Sequence, residues 1–391
     1  MRDGVVPVEI AAAGAEFQVR GDVTFLNHGS FGACPLPVFA AYQRWQRELE
    51  AEPVAFLGRE LPGLLAEARG ALAAYVGTSA GNVVFVPNAT HGVNIVARSL
   101  DLQPGDEVLG TDHEYGAVMR TWRFICAQHG ATYRAARIPL PVTSPEEIVE
   151  AIWREVTGRT RAIIVSHITS PTALIFPVAE ICRRARAAGI LTIVDGAHAP
   201  GQIDLALDDL GADFYTGNLH KWLCGPKGAA FLYARPERQA MLRPLVVSWG
   251  WDPERPGDSP FQDVFGWTGT DDPSAYLTVP AAIAFQRQHD WPRVRAWAHH
   301  LLGSARERIG ALTGLPQIAP DSPEWWGQMA AIPLPPFHMA GSEMQRRLYD
   351  EFAIEVPIVE WEGQRFVRVS IQAYNTPADV ERLVDALARA L

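Results

Sequence analysis

From about residue 80 to 235 the chain alternates short apolar runs with stretches in which apolar positions recur at helical spacing. Asn82-Val83-Val84-Phe85-Val86 predicts a buried strand, ended by Pro87. Glu107-Val108-Leu109-Gly110 predicts a second, entered through the Pro104-Gly105-Asp106 turn. Arg161-Ala162-Ile163-Ile164-Val165 and Leu191-Thr192-Ile193-Val194 predict two more. A helix from Glu180 to Ala188, basic in its second half and stopped by Gly189, precedes the last of these. Asn88-Ala89-Thr90 opens another helix, running through Val93, Ile95 and Val96. Strands this short and this apolar are covered on both faces. The pattern therefore predicts an α/β domain, a mostly parallel sheet sandwiched by helices. In such sheets ligands gather at the carboxyl ends of the strands.

The segment from Ser248 to Pro273 is rich in Gly, Pro, Asp and Trp, has no period, and predicts a loop. A long helical stretch then runs from Pro273 to Leu301, and a second small unit follows. The chain closes on a helix with Thr376 as N-cap, Pro377 at its first position and Asp379 in its first turn. Val380, Leu383, Val384 and Leu387 form its packing face. The expected organisation is an N-terminal arm over 1–25, a large domain over 26–270 and a smaller α+β domain over 271–391, which the arm joins.

Composition narrows the function. With 391 residues, 48% of them apolar and 20% charged, the chain has core enough for two or three units. A net charge of −10 argues against the basic face that nucleic acid or an anionic membrane needs. No apolar run approaches the ~20 residues of a membrane span, and Met1-Arg2-Asp3-Gly4 leads into no signal-peptide core. Cys34, Cys126, Cys182 and Cys224 lie far apart without C-x-x-C spacing, which argues against a disulfide framework or a structural zinc site. The expectation is a cytoplasmic enzyme without a metal.

The chemistry-bearing segments come in a fixed order. Val194-Asp195-Gly196-Ala197-His198 ends the last expected strand, and Asn218-Leu219-His220-Lys221-Trp222 follows on a loop of the same domain. An acid at a strand end and a lysine on a later loop suit pyridoxal 5′-phosphate (PLP). The lysine forms a Schiff base, and the acid keeps the pyridine nitrogen protonated so that the ring acts as an electron sink. Taken singly each residue has an ordinary reading, Asp195 as a helix cap and Lys221 as a surface lysine.

Together with Leu26-Asn27-His28-Gly29-Ser30-Phe31-Gly32, Pro87-Asn88-Ala89-Thr90, Asp112-His113-Glu114-Tyr115-Gly116, Ser166-His167-Ile168-Thr169-Ser170-Pro171-Thr172, Trp267-Thr268-Gly269-Thr270 and Arg368-Val369-Ser370, these segments carry a family likeness. The sequence resembles PLP enzymes of fold type I, in the class V aminotransferase group. That group includes cysteine desulfurases and kynureninases; the likeness is to its isopenicillin N epimerase-like branch and spans Phe25 to the C-terminal helix.

The resemblance implies a role for each matching position. Lys221 carries the cofactor and Asp195 pairs with its ring nitrogen. Thr90 and the Ala89 amide, at a helix N-terminus, cradle the phosphate, with further contacts from Asn218 and His220. His113 lies over the ring face, and Tyr115 is a neighbouring proton-transfer candidate. His198 contacts the phenolic oxygen, with Ser170 or Thr169 as a second contact. Arg368, in an alternating strand-like run, clamps the substrate carboxylate, while Asn27-His28-Gly29-Ser30 closes over the substrate, Gly29 letting the backbone approach it. Thr270 reaches the phosphate of a neighbouring subunit, which implies a homodimer with shared active sites.

The implied activity is epimerisation at Cα of an amino-acid substrate through a quinonoid. The alternative is β-elimination by a C–S lyase on a cysteine S-conjugate; transamination and a non-catalytic PLP-fold binding protein come after these. A cysteine desulfurase needs a nucleophilic thiol on a mobile loop in its C-terminal half. The last cysteine here is Cys224, so that activity is not expected.

Overall fold

A computed structural model describes residues 5–391; Met1-Arg2-Asp3-Gly4, the start of the expected arm, lies outside the described residues. The arm contains a helix, Val8–Ala15, and a two-residue strand, β1 (Thr24–Phe25). The large sheet follows: β2 (Val83–Val86), β3 (Glu107–Thr111), β4 (Thr132–Ala136), β5 (Thr160–Ser166), β6 (Leu191–Asp195), β7 (Phe214–Asn218) and β8 (Ala230–Ala234). Their spatial order is β2-β8-β7-β6-β5-β3-β4. Strands β4, β3, β5, β6 and β7 run parallel, and only β8 is antiparallel to its neighbours β7 and β2.

Alternation along each strand assigns side chains to two cores. On β5, Ala162 and Ile164 pack with Val93, Val96 and Trp122 on one face, whereas Ile163 and Val165 join Ile181 and Ala185 on the other. Both faces are covered, as the uniformly apolar strands require. This is the expected α/β class.

The C-terminal part holds β9 (Met329–Leu334), β10 (Ile354–Glu355), β11 (Ile358–Trp361) and β12 (Gln364–Ser370). Strands β11, β12 and β9 form an antiparallel sheet in that order, against which the helix Trp291–Thr313 packs. The arm is sewn to this part: β1 pairs in parallel with β10, and the Ser370 amide donates to the Leu26 carbonyl at 2.9 Å. The last helix, Pro377–Ala390, has the expected cap, with the Asp379 carboxylate accepting from the Thr376 amide at 2.8 Å.

Two expectations need correction. The loop expected between Ser248 and Pro273 contains a helix, Pro260–Gly266, whose Ser259 cap accepts from the Gln262 amide. The single helical stretch expected from Pro273 is three helices, Ser274–Leu277, Val279–Gln288 and Trp291–Thr313. The second break falls at Asp290, whose φ of 45° turns the chain out of the helical path.

Candidate active site

The ends of β5, β6 and β7 border one cleft of about 170 Å³, where Ser166, Asp195 and Asn218 face it. Asp195 is 4% exposed, and its Oδ1 accepts the Ala197 amide at 2.9 Å. Burial raises its pKa, chiefly opposed by that hydrogen bond from Ala197.

Lys221 enters from the turn after β7. Hydrogen-bond accounting fixes the state of its amine. The Trp222 indole, a donor only, meets His198 Nδ1 at 3.3 Å, so the His198 proton sits on Nε2. That Nε2–H points at Lys221 Nζ, 3.1 Å away, which must accept and is therefore neutral. Desolvation, and then the charge of Arg368, push the Lys221 pKa down to about 7. Burial holds His198 far below its ordinary range. The result is a nucleophilic amine at neutral pH.

The helix Ala89–Ser99 points its N-terminus at the same cleft. Asn88 caps it, its Oδ1 accepting from the His91 amide at 2.9 Å. Gly92 lets the helix lie directly on β7: a Cβ there would meet Thr216 Oγ1 at 2.4 Å. Ala89 and Thr90 both line the cleft. The Ala89 amide, however, donates to Asn218 Oδ1 at 2.9 Å, which takes that N–H out of the set free to hold an anion and leaves Asn218 its Nδ2. That corrects the expectation for the Ala89 amide. His220 also lines the cleft, and its Nδ1 is buried without a hydrogen-bond partner.

Arg368 sits on β12, 7% exposed. Its Nη1 donates to the Ser170 carbonyl at 2.6 Å and to Ser170 Oγ at 3.2 Å, and its Nη2 donates to Ser30 Oγ at 3.2 Å. Nε is buried without a partner, and no carboxylate among the described residues pairs with this guanidinium. Burial pushes its pKa down to about 10. Ser30, expected only as part of the segment closing over the substrate, and Ser170 both line the cleft and hold Arg368, which lies just behind that lining.

Other expected site residues lie elsewhere. His113 is fully buried behind the cleft wall, against Phe176 and Trp361, with Nδ1 accepting from the Thr172 hydroxyl at 2.7 Å and Nε2 donating to the Ile138 carbonyl at 3.2 Å. With both nitrogens occupied and no place in the lining, it does not lie over a ligand. Tyr115, two residues on, does line the cleft and is half exposed. His28 lies behind Lys221 rather than over the cleft: Nε2 donates to the Lys221 carbonyl and Nδ1 accepts from the Tyr374 hydroxyl, both at 3.0 Å. Burial lowers its pKa to about 3. Asn27 is likewise turned away, donating to Glu355 at 3.0 Å and accepting from Ser30 Oγ at 2.5 Å. Gly29 approaches Met329, Ser370 and Trp222, not a ligand. The glycine that matters is Gly32, with φ of 69° and a Cβ position only 1.9 Å from the His220 carbonyl. Thr270 is exposed and outside this chain's cleft.

A parallel sheet with a buried acid at the end of β6 and a neutral lysine facing it defines a PLP-dependent enzyme of fold type I. The comparisons agree. The aminotransferase class-V family model matches residues 33–383. Isopenicillin N epimerase of Amycolatopsis lactamdurans is 40% identical, over 97% of this chain and 98% of that protein. Putative L-cysteine desulfhydrase 2 of Oryza sativa subsp. japonica is 32% identical, over 97% of this chain and 88% of that protein. The cysteine desulfurase CsdA from Escherichia coli shares the fold, with a TM-score of 0.80 at 23% identity over 97% of this chain and 98% of that one. The chain belongs to the class-V aminotransferase family.

Proposed function

We propose that the protein epimerises an amino-acid substrate at Cα, as the name of its 40%-identical relative indicates. The observation that carries the reading is the neutral Lys221 amine, held by His198 in a cleft that Tyr115 also lines. The donor set fits the cofactor: the open Nδ1 of His220 with Thr90 and Asn218 for its phosphate, Asp195 for its ring nitrogen, His198 and Ser170 for its phenolic oxygen, and Lys221 for its aldehyde. When bound, PLP supplies an electron sink that acidifies Cα of the substrate.

The residues then divide the work. Arg368 holds the substrate carboxylate through its unpaired guanidinium, which fixes Cα near Lys221. Lys221, neutral and desolvated, takes the Cα proton. Tyr115 returns a proton to the opposite face, and its exposure lets it exchange that proton with solvent. β-Elimination uses the same first proton transfer and is favoured by the 32%-identical desulfhydrase relative. A desulfurase reading has no support in the chain, since residues 225–391 contain no cysteine.

We also infer a cytoplasmic homodimer. All four cysteines are free, which suits a reducing compartment. The exposed Thr270 is available to a second subunit's phosphate site. Mixing Lys221→Ala with a Thr270→Ala variant then restores one working site per heterodimer, whereas a fully active monomer in sedimentation ends that proposal.

The reaction itself is tested in D2O. Amino acids without a Cβ leaving group should gain deuterium at Cα with inversion, and Tyr115→Phe should keep the exchange but lose the inversion. Pyruvate release from cysteine S-conjugates, with no inversion of any substrate, reverses the order of the two readings.

A further inference from the structure

Glu114 is a carboxylic acid that none of the steps above uses. It is 2% exposed, yet no cation among the described residues pairs with it. Its two oxygens meet two hydroxyls, Thr111 Oγ1 at 2.7 Å from Oε1 and Ser166 Oγ at 2.6 Å from Oε2. Thr111 sits at the end of β3, and Ser166, at the end of β5, pairs in register with Asp195 on β6 and lines the cleft. Two carboxyl groups therefore share one desolvated wall.

Thr111 Oγ1 accepts the His113 amide at 3.2 Å and donates to Glu114 Oε1, and Ser166 Oγ meets Oε2. With Thr111 donating to Oε1, a proton on Glu114 would sit on Oε2 and donate to Ser166 Oγ. Glu114 is the side-chain partner of Ser166 in the structure, so the Ser166 hydrogen is then free to turn into the cleft. An ionised Glu114 recaptures that hydrogen and puts a second negative charge beside Asp195.

We propose that Glu114 is a positioning residue of the cofactor site: it keeps its proton, leaves Asp195 as the single negative charge of the wall, and turns the Ser166 hydroxyl hydrogen toward the cofactor. The proposal rests on PLP occupying this cleft and is independent of whether epimerisation or elimination follows. Burial, with a smaller push from Asp195, raises the Glu114 pKa to about 7 against the bonds from the Ser166 and Thr111 hydroxyls and the Ser166 backbone. The titratable groups that face it are Asp195 from β6 and the Tyr133 phenol from β4, whose own pKa Glu114 helps to raise; neither brings a positive charge. Two carboxyls in such surroundings ionise one at a time.

Infrared difference spectroscopy on the PLP-loaded enzyme reads the proton directly. At pH 6 the wild type should show the carbonyl stretch of a buried protonated carboxyl group. The band should vanish in Glu114→Gln and persist in Asp195→Asn. Its absence from the wild type, or its loss in Asp195→Asn but not in Glu114→Gln, overturns the proposal.

Equilibrium PLP binding supplies the second readout. The carboxamide introduced by Glu114→Gln accepts from Thr111 and donates to Ser166 as the acid does, so at pH 6 the dissociation constant should stay within about threefold of wild type. Ser166→Ala should weaken binding by on the order of tenfold, and adding Glu114→Gln to it should change nothing more. A Glu114→Gln protein that melts like wild type but loses tenfold or more in PLP affinity at pH 6 shows that the negative charge is needed, and sinks the idea. Failure of PLP to enter this cleft would instead appear as loss of the Lys221 label, with the infrared band unchanged.

Discussion

The two sides of the Lys221 turn are built from the same residue types and do opposite things. On the cleft side, His198 donates a hydrogen bond to the lysine amine and His220 keeps an open nitrogen. On the far side, His28 is locked to the Lys221 carbonyl and the Tyr374 hydroxyl, with Gln372 Nε2 3.3 Å away. Every one of these histidines is held below its ordinary pKa by burial, so desolvation alone does not mark a reacting group. What separates them is where the hydrogen bonds go: His198 spends one on the Lys221 amine and His220 keeps a nitrogen open at the cleft, whereas His28 spends both behind it.

The sharpest break in the comparison comes from removing one residue on the cleft side. Lys221→Ala should lose turnover by on the order of 10³-fold or more, with little change in the melting of the cofactor-free protein. Borohydride should fix PLP to the peptide containing Lys221; label on Lys227 would reassign the site. The far side should respond in stability instead. His28→Ala should lower the unfolding free energy by about 3 kcal/mol, because a filled pocket empties and two partners are orphaned. It should still take the borohydride label, and a label-negative, normally stable His28→Ala would reverse the assignment of sides.

A pH series sharpens the same contrast. His113, His167 and His28 are depressed to about 4, about 4 and about 3 in the native state. Each binds a proton in the unfolded chain below about 6.5 but not in the folded one, so stability present above that pH is lost as pH falls toward 4. His113→Gln should remove about 1.4 kcal/mol per pH unit from that slope between pH 6 and 5 in denaturant titrations. An unchanged slope would mean that His113 is not held neutral.

The smallest effect tests one contribution on the cleft side. Arg368 helps to lower the Lys221 pKa to about 7, so Arg368→Gln should move the pH midpoint of covalent PLP capture upward, and Arg368→Lys should restore it. A downward movement contradicts the charge argument.

How much of this was legible in the chain follows the same division. Strands at 83–86, 107–111, 160–166 and 191–195 announce themselves as uniform apolar runs. The edge strand Thr132–Ala136 does not, because an edge needs only one covered side and its residues are mostly half exposed or exposed. Phe214–Asn218 hides its strand character behind Thr216 and Gly217: Thr216 lies against Gly92 of the helix that aims at the cleft, and Gly217 lies against Phe231 and Pro200. Asp195 and Lys221 stood out through the ordered segments around them that resemble the family's, not through either residue alone. The choice between His113 and Tyr115 was not. Two residues after a strand the chain has already turned, and which side chain meets the cleft depends on Ile138 and Thr172, partners 25 and 59 residues away. Ser30 and Ser166 stand inside segments that the sequence singles out, but their pairing with Arg368 and Glu114 was not legible, since a serine takes its role only from what stands beside it.

The stitching of the arm to the C-terminal part sets a timetable for synthesis. Asn27 bonds to Glu355 across 328 residues, and Asn375 donates to the Phe25 carbonyl across 350. A ribosome adding roughly 5–20 residues per second needs tens of seconds to connect them. During that interval the large sheet and the Lys221 turn can already be assembled, while Arg368 has not yet been made and Gly32 has no docked arm to press against His220. On the proposed assignment, a chain at that stage would have the Asp195 and Lys221 wall but not Arg368, and PLP bound to it would act as a folding ligand.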